Sequence, residues 1–310
     1  MSDERLNDDI ARQRAGAALS ALWPDWSGTL CELGPVGRSA VFRVLGAPIP
    51  AVVKLWCNAD HAKAHAQAFR QSEVAQALRR GPHRAPDVLH FDKTLPAMVM
   101  QDCDGLAFDA ALSSCEPARA EQLVEAAGGW IAALHATSLR EAPFRPVGHL
   151  NWLDKLLAQA EAGDRQISDL PRFRSHCAAM HEMFQDVRRK PTIKAVTHKD
   201  LNAGNLLLGQ DGTLWGIDFE NAREDEPLRD LFTLGVDVLA FAPFGRDRHR
   251  ALATLARGYG DQASDPAVRL FLQRTFALGL WARTPERASK RQKARLAVTD
   301  WILEQDSAVF

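Results

Sequence analysis

The stretch from Thr197 to Glu220, THKDLNAGNLLLGQDGTLWGIDFE, constrains this chain more than any other. Leu206-Leu207-Leu208 and Thr213-Leu214-Trp215-Gly216-Ile217 are short apolar runs on either side of Gly209-Gln210-Asp211-Gly212. Two such runs around a turn of Gly and Asp predict a β-hairpin. Antiparallel pairing sets the start of the first strand against the end of the second. Asn205 and Asp218 therefore meet at one end of the hairpin, with Asp200 in the loop just before it. Two carboxylates and an amide oxygen gathered at strand ends can bind Mg²⁺ and handle a proton.

The order H-x-D-x-x-x-x-N, followed past a hairpin by D-F, is that of kinase-type phosphotransferases. His198-Lys199-Asp200-Leu201-Asn202-Ala203-Gly204-Asn205 and Ile217-Asp218-Phe219-Glu220 resemble the aminoglycoside phosphotransferase and choline kinase family, small-molecule relatives of the protein kinases. There the loop often reads H-G-D-L-x-x-x-N and the metal motif I-D-W/F-E. Lys199 departs from that pattern, standing where Gly is frequent. The resemblance covers nearly the whole chain and is strongest over residues 196–231. It implies an α+β, protein-kinase-like bilobal fold, with a mostly β N-lobe over residues 1–101 and a helical C-lobe over 102–310. It also implies transfer of the ATP γ-phosphoryl group to a hydroxyl of an aminoglycoside-, choline- or sugar-like molecule. Asp200 would then accept or orient the hydroxyl proton, Asn205 and Asp218 would hold Mg²⁺, and His198 would support the loop. Asp230 would brace that loop; otherwise it is an acidic residue at a helix start.

Charged residues make up 25% of the 310-residue chain and the formal net charge is −1, so no global field favours nucleic acid or an acidic membrane. Hydrophobic residues, at 46%, are those of an ordinary soluble protein. The cysteines at 31, 57, 103, 115 and 177 form no C-x-x-C, which fits reduced thiols. The N-terminus carries no apolar leader segment and no later run is long enough to span a membrane, so the expected location is the cytoplasm. Oligomeric state is left open.

Residues 5–22 read as a helix with Leu6, Ile10, Ala17, Ala18 and Leu22 on its apolar stripe. Strand-like runs near 30–33 and 40–44 flank Gly34-Pro35-Val36-Gly37-Arg38-Ser39. Gly34, Gly37 and Ser39 could let backbone N–H groups approach a phosphate, or the segment is only a hairpin. Lys54, inside the run Ala51–Trp56, is either a surface lysine or, by the resemblance, the lysine that holds the α- and β-phosphates. Glu73, on a helix over 60–80, would pair with Lys54 or be a solvated charge. His61 and His65, at i,i+4, lack the glutamate of a zinc protease and read as surface residues. The strand Ala97–Met100 empties into Gln101-Asp102-Cys103-Asp104-Gly105. By the resemblance this is a hinge, with Met100 against the adenine and Gln101 and Cys103 at its edge; otherwise it only connects.

Beyond Gly105 helical periods dominate: one ending at Leu134-His135-Ala136, with His135 structural, one from Asn151 after a loop at 142–152, and one from Pro171 to Arg189. Four more are expected near 228–242, 246–259, 266–284 and 286–305. Val268, Phe271, Leu272, Thr275, Phe276 and Leu280 bury the third of these, and Arg287, Lys290, Arg291, Lys293 and Arg295 read as a solvated face of the last. Glu220, Glu224, Asp225 and Glu226, with Trp152 and Trp281, suit a cationic acceptor, unless the acids are solvated and the indoles lie in the core. A nucleotide-binding pseudokinase is the alternative function, which the usable chemistry at every assigned position disfavours.

Overall fold

The computed structural model describes residues 8–37, 39–56, 61–244, 247–260 and 263–310. Leu6, Arg38, Cys57 and the expected helix starts at 5, 60 and 246 lie outside them. The chain begins with α1 (Asp8–Leu22), β1 (Thr29–Glu32), β2 (Ser39–Leu45), β3 (Ala51–Trp56), α2 (His61–Leu78), β4 (Val88–Asp92), β5 (Ala97–Gln101) and β6 (Gly105–Ala107). Next come α3 (Phe108–Ser114), α4 (Pro117–Ala136), β7 (Arg140–Pro143), α5 (Val147–Glu161), α6 (Leu170–Glu182), α7 (Phe184–Val187) and β8 (Pro191–Val196). A 3₁₀ turn at Ala203–Asn205 leads into β9 (Leu206–Gly209) and β10 (Leu214–Gly216). Last are β11 (Glu224–Asp225), α8 (Leu228–Phe241), α9 (Arg248–Tyr259), α10 (Pro266–Trp281) and α11 (Lys290–Leu303). They form two compact units, residues 1–107 with 205–222 and residues 108–204 with 223–310.

In the first unit a five-stranded antiparallel sheet runs in the order β1-β2-β3-β5-β4. Its middle strand β3 is buried along its whole length, because both faces are covered. Ala51, Val53 and Leu55 belong to one core with Ala11, Ala15, Ala18 and Leu19 of α1. Trp56 packs on the other face with Ala64 and Ala68 of α2 and Met98 of β5. The α1 stripe differs from the expected one: Ile10 is 44% exposed and Ala17 faces solvent. Alanines at 11, 15 and 18 let the helix lie close to the sheet, and close approach decides the buried face over side-chain size. The expected hairpin is present as β9 and β10, paired Leu206↔Gly216 through Leu208↔Leu214. Strand β6 extends it to three strands, and the hairpin thus groups with the first unit.

The second unit is helical. Helices α4 and α9 cross at backbone distance, since a Cβ on Gly128 would collide with the Leu255 carbonyl and one on Gly258 with the Glu125 carbonyl. As expected, α10 is deeply buried through Val268, Phe271, Leu272, Thr275 and Phe276. Helix α5 starts earlier than expected, at Val147, because Pro146 caps it rather than marking loop. A small sheet in the order β11-β8-β7 leads the chain from β8 into the loop at 197–202. Among the described residues no helix is long and apolar enough to cross a membrane.

Candidate active site

Strand β3 fixes Lys54 in the first unit. The side chain is only 7% exposed and its ammonium is ion-paired with Asp218. A cation this buried requires a carboxylate partner, so the surface-lysine reading falls. Gln67 Nε2 donates to the same Asp218 oxygen at 2.6 Å, and Gln67 Oε1 accepts from Trp56 Nε1 at 3.1 Å. The ammonium also stands 5.4 Å from the Trp56 ring centre. Glu73 does not take the role expected of it. It is exposed and pairs with Arg70 at 3.8 Å. Six residues beyond Gln67, it lies about 120° around the helix from that side chain and off the face that α2 buries. Gln67 went unnoticed in the sequence, and its one signal was an amide at helical spacing between buried alanines.

Asn205 and Asp218 lie at one end of the hairpin: β9 and β10 pair Leu206 with Gly216, and Ile217 N–H donates to the Asn205 carbonyl at 3.0 Å. Asp218 is held at φ 68°, in the left-handed region that aspartate tolerates better than most residues. One carboxylate and one amide oxygen are hard donors that fit Mg²⁺, an ion that takes few protein ligands and fills its shell with water and phosphate. Among the described residues no group of three or more His, Cys, Asp or Glu could hold a metal alone.

A cavity of about 410 Å³ lies in the same unit. Val41, Val52, Met100, Leu207 and Ile217 supply its apolar walls, and Gly34, Ser39, Gln101 and Cys103 also line it. Gly37 is outside this lining, although a Cβ on either glycine would meet nothing within 4 Å. Gln101 N–H is spent on the Asp87 carbonyl at 2.9 Å. Burial, then the charges of Asp102, Asp211 and Asp104, push the Cys103 thiol up to about 12, so it is no nucleophile. Leu207 and Ile217 were missed as lining residues, though each lies within two positions of a proposed metal ligand.

The second unit holds Asp200. Asp230, fully buried on α8, accepts from His198 N–H at 2.6 Å and Lys199 N–H at 2.8 Å. His135 Nε2 lies 3.0 Å from it, and His135 Nδ1 lies 3.2 Å from the Tyr259 hydroxyl. Burial alone would raise the Asp230 carboxyl, but the bond from His135 and the nearby charge and N–H of His198 hold it below its ordinary value. Asp230 thus braces the loop, and His135 is structural. A second buried aspartate, Asp237, accepts from Ala203 N–H at 2.9 Å. Between these braces Lys199 takes φ 73°, which explains why Gly suits that place in the motif.

Asp200 and Lys199 line a cavity of about 360 Å³ with Trp152, Phe232, Phe276, Arg229, Arg283 and Arg295. Arg229 Nε reaches Asp225 at 2.5 Å and its guanidinium stacks 4.4 Å from the Phe276 ring centre. Arg295 Nε lies 3.0 Å from Asp237, and Arg291 bridges Asp237 and Asp109. Of the residues read as a solvated face, Arg287, Lys290, Arg291 and Lys293 are exposed, although Arg291 also pairs with Asp237 and Asp109, and half-buried Arg295 turns to buried Asp237. The acids expected to attract a cation are committed elsewhere: Glu220 to Lys63, Glu224 to Arg140, and buried Glu226 to Lys194. Trp281 is core, its indole N–H bonded to Ser168, while Trp152 lines the cavity.

Solved structures share this architecture across nearly the full chain. Choline kinase LicA from Streptococcus pneumoniae superposes with a TM-score of 0.59 at 14% identity, covering 96% of this chain and 98% of its own. A thermostable mutant of aminoglycoside phosphotransferase APH(4)-Ia, in ternary complex with ADP and hygromycin B, gives 0.59 at 14% identity, with 92% and 96% covered. A glucosamine kinase gives 0.54 at 14% identity, with 95% and 81% covered. At this identity the likeness establishes the fold, an antiparallel-sheet N-lobe and a helical C-lobe of the protein-kinase type. No curated protein matches the sequence. The family model described as the phosphotransferase enzyme family matches residues 29–272, taking in Lys54, the 198–205 loop and the hairpin, and the chain belongs to that family.

Proposed function

We propose that this chain transfers the γ-phosphoryl group of ATP, as its Mg²⁺ complex, to a hydroxyl of a small molecule. The observation that carries the reading is Asp200, facing a cavity at the end of a loop whose backbone is fixed by two buried aspartates. The acceptor oxygen attacks the γ-phosphorus, its proton passes to Asp200, and ADP leaves. Lys54 holds the phosphates, with Gln67 steadying the Lys54–Asp218 pair in the place proposed for Glu73. Val41, Val52, Met100, Leu207 and Ile217 enclose the base, and with Gln101 N–H already spent, Cys103 N–H is the donor to its edge. Gly34, Gly37 and Ser39 offer backbone to the phosphates. Asn205 and Asp218 would hold Mg²⁺, which when bound neutralises charge on the β- and γ-phosphate oxygens.

The two carboxylates test this by failing differently. Asp200→Asn keeps shape but loses the proton acceptor, so nucleotide titrations should be unchanged while turnover falls on the order of 10²–10⁴-fold. Asp218→Ala should weaken nucleotide binding with Mg²⁺ and leave metal-free binding less affected. Calorimetric titration beside an ADP-release assay decides both. Near-full activity in Asp200→Asn would overturn the role given to Asp200, and a wild type that binds ATP but releases no ADP with any acceptor would point to a pseudokinase that acts by binding alone.

A further inference from the structure

The Asp200 cavity is cationic. Lys199, Arg229, Arg283 and Arg295 line it, against Asp200 as the carboxylate in its wall. Arg229 and Arg295 each have a carboxylate behind them, Asp225 and Asp237. Arg283 has none: among the described residues its guanidinium makes no ion pair. The charges acting on it are Arg229, Arg295 and Arg165, which repel, and Asp200, which attracts. The residue is exposed in the cavity wall, and a guanidinium set among like charges gains from an anion that offsets their repulsion.

Lys199 adds a second observation. Its backbone sits at φ 73°, where glycine would carry no strain and a side chain costs on the order of 1 kcal/mol. The chain keeps a lysine there, exposed and in the wall of the same cavity. Trp152, Phe232 and Phe276 leave an apolar flank, and about 360 Å³ suits a compact molecule.

Resting on the phosphotransferase reading, we infer that the acceptor is a small hydroxyl compound carrying a carboxylate or phosphate group, its anion seated on the Arg283 fork and its hydroxyl at Asp200. This reverses the charge suggested by the acidic sequence at 220–226, whose carboxylates the fold has neutralised with its own cations.

The experiment uses the full chain and two readouts. ADP release is followed with four panels: hydroxy acids such as glycerate, hydroxyl-bearing phosphates such as glycerol phosphate, amino alcohols and amino sugars such as choline and glucosamine, and neutral polyols. Calorimetry measures glycerate, glycerol phosphate, choline and glycerol directly. An anionic panel should be bound and phosphorylated in preference, and which of the two wins identifies carboxylate or phosphate. Arg283→Gln should weaken that binding roughly tenfold to a hundredfold, with ATP binding unchanged, and Arg283→Lys should recover only part of it. Arg283→Glu should move preference toward the amines. The inference is overturned if amines or neutral polyols are preferred, if no anion binds the wild type, or if Arg283→Gln binds the anions as well as the wild type does. Equal use of polyols and hydroxy acids would assign the cations to the transferred phosphoryl group instead. Absence of ATP binding would sink the phosphotransferase reading itself, which the separate nucleotide titration detects.

Discussion

Replacing Asp230 by alanine separates a loop brace from a helix-end charge by magnitude. A carboxylate at a helix N-terminus is worth about 0.3–1 kcal/mol. Asp230 instead accepts from His198 N–H, Lys199 N–H and His135, and is 0% exposed. Its removal strands those donors, each costing about 1–3 kcal/mol if it stays dry. Lys199 is exposed, so water can reach part of the gap, and a net loss of about 3–5 kcal/mol is expected. Urea unfolding with ADP release on the same samples measures it, and turnover should fall with stability because Asp200 follows Lys199. Asp230→Asn keeps one oxygen and should lose less. The folded carboxyl is depressed from 3.8, so its contribution is full well above that value and is lost as pH falls through the lower folded value. The wild type should therefore lose urea resistance in acid more steeply than Asp230→Asn. A loss under 1 kcal/mol with unchanged turnover refutes the brace.

Two further outcomes follow from the geometry. Lys54→Ala should raise the KM for ATP at least about tenfold while costing only about 1 kcal/mol of stability, since its partner Asp218 is 39% exposed and water can replace the ammonium; unchanged ATP kinetics would remove Lys54 from the phosphate site. A Cβ on Gly279 of α10 would collide with the Trp152 ring, so Gly279→Ala should destabilise by about 1–3 kcal/mol and raise acceptor KM with ATP KM unchanged, and two-substrate kinetics beside an unfolding curve check it.

The hairpin, the α10 core and the role of Asp230 were legible because each is local or fixed by a long motif. What was not legible depended on partners far away in sequence. In alanine-rich α1 the apolar contrast around the helix is weak, so Ile10 was expected on the buried stripe yet is exposed, while Glu73 was paired with Lys54 by the family resemblance, which says nothing of the face it takes on α2. Gln67 gained its meaning only from Asp218, 151 positions later. The β7–β8–β11 sheet was invisible because its strands are short and carry Pro143 and Pro191. Nothing near 224–226 or 291–295 tells a solvated charge from one committed to Arg140, Lys194, Asp109 or Asp237.

Asp237 shows why acceptor charge is hard to infer from fold and why Arg283 is the residue to change. Its carboxylate accepts from Ala203 N–H in the catalytic loop and also pairs with Arg291 and Arg295 of α11. Loop geometry and part of the cavity's charge therefore share one buried acid. Substituting Arg295 would leave Asp237 short of a cation and disturb the loop that carries Asp200, mixing a positioning defect with a recognition defect. Substituting Arg229 would likewise unpair Asp225, half-buried beside buried Glu226. Among the described residues Arg283 makes no ion pair, so a change there leaves both braces in place and alters what the cavity attracts, with Asp200 as the one carboxylate that feels it. The architecture shared with solved structures at 14% identity is the fold alone and does not carry the charge of this cavity. Of the wall charges, those of the Lys199 and Arg283 side chains can change without unpairing Asp225 or Asp237, so under the proposed function they are where acceptor charge is read.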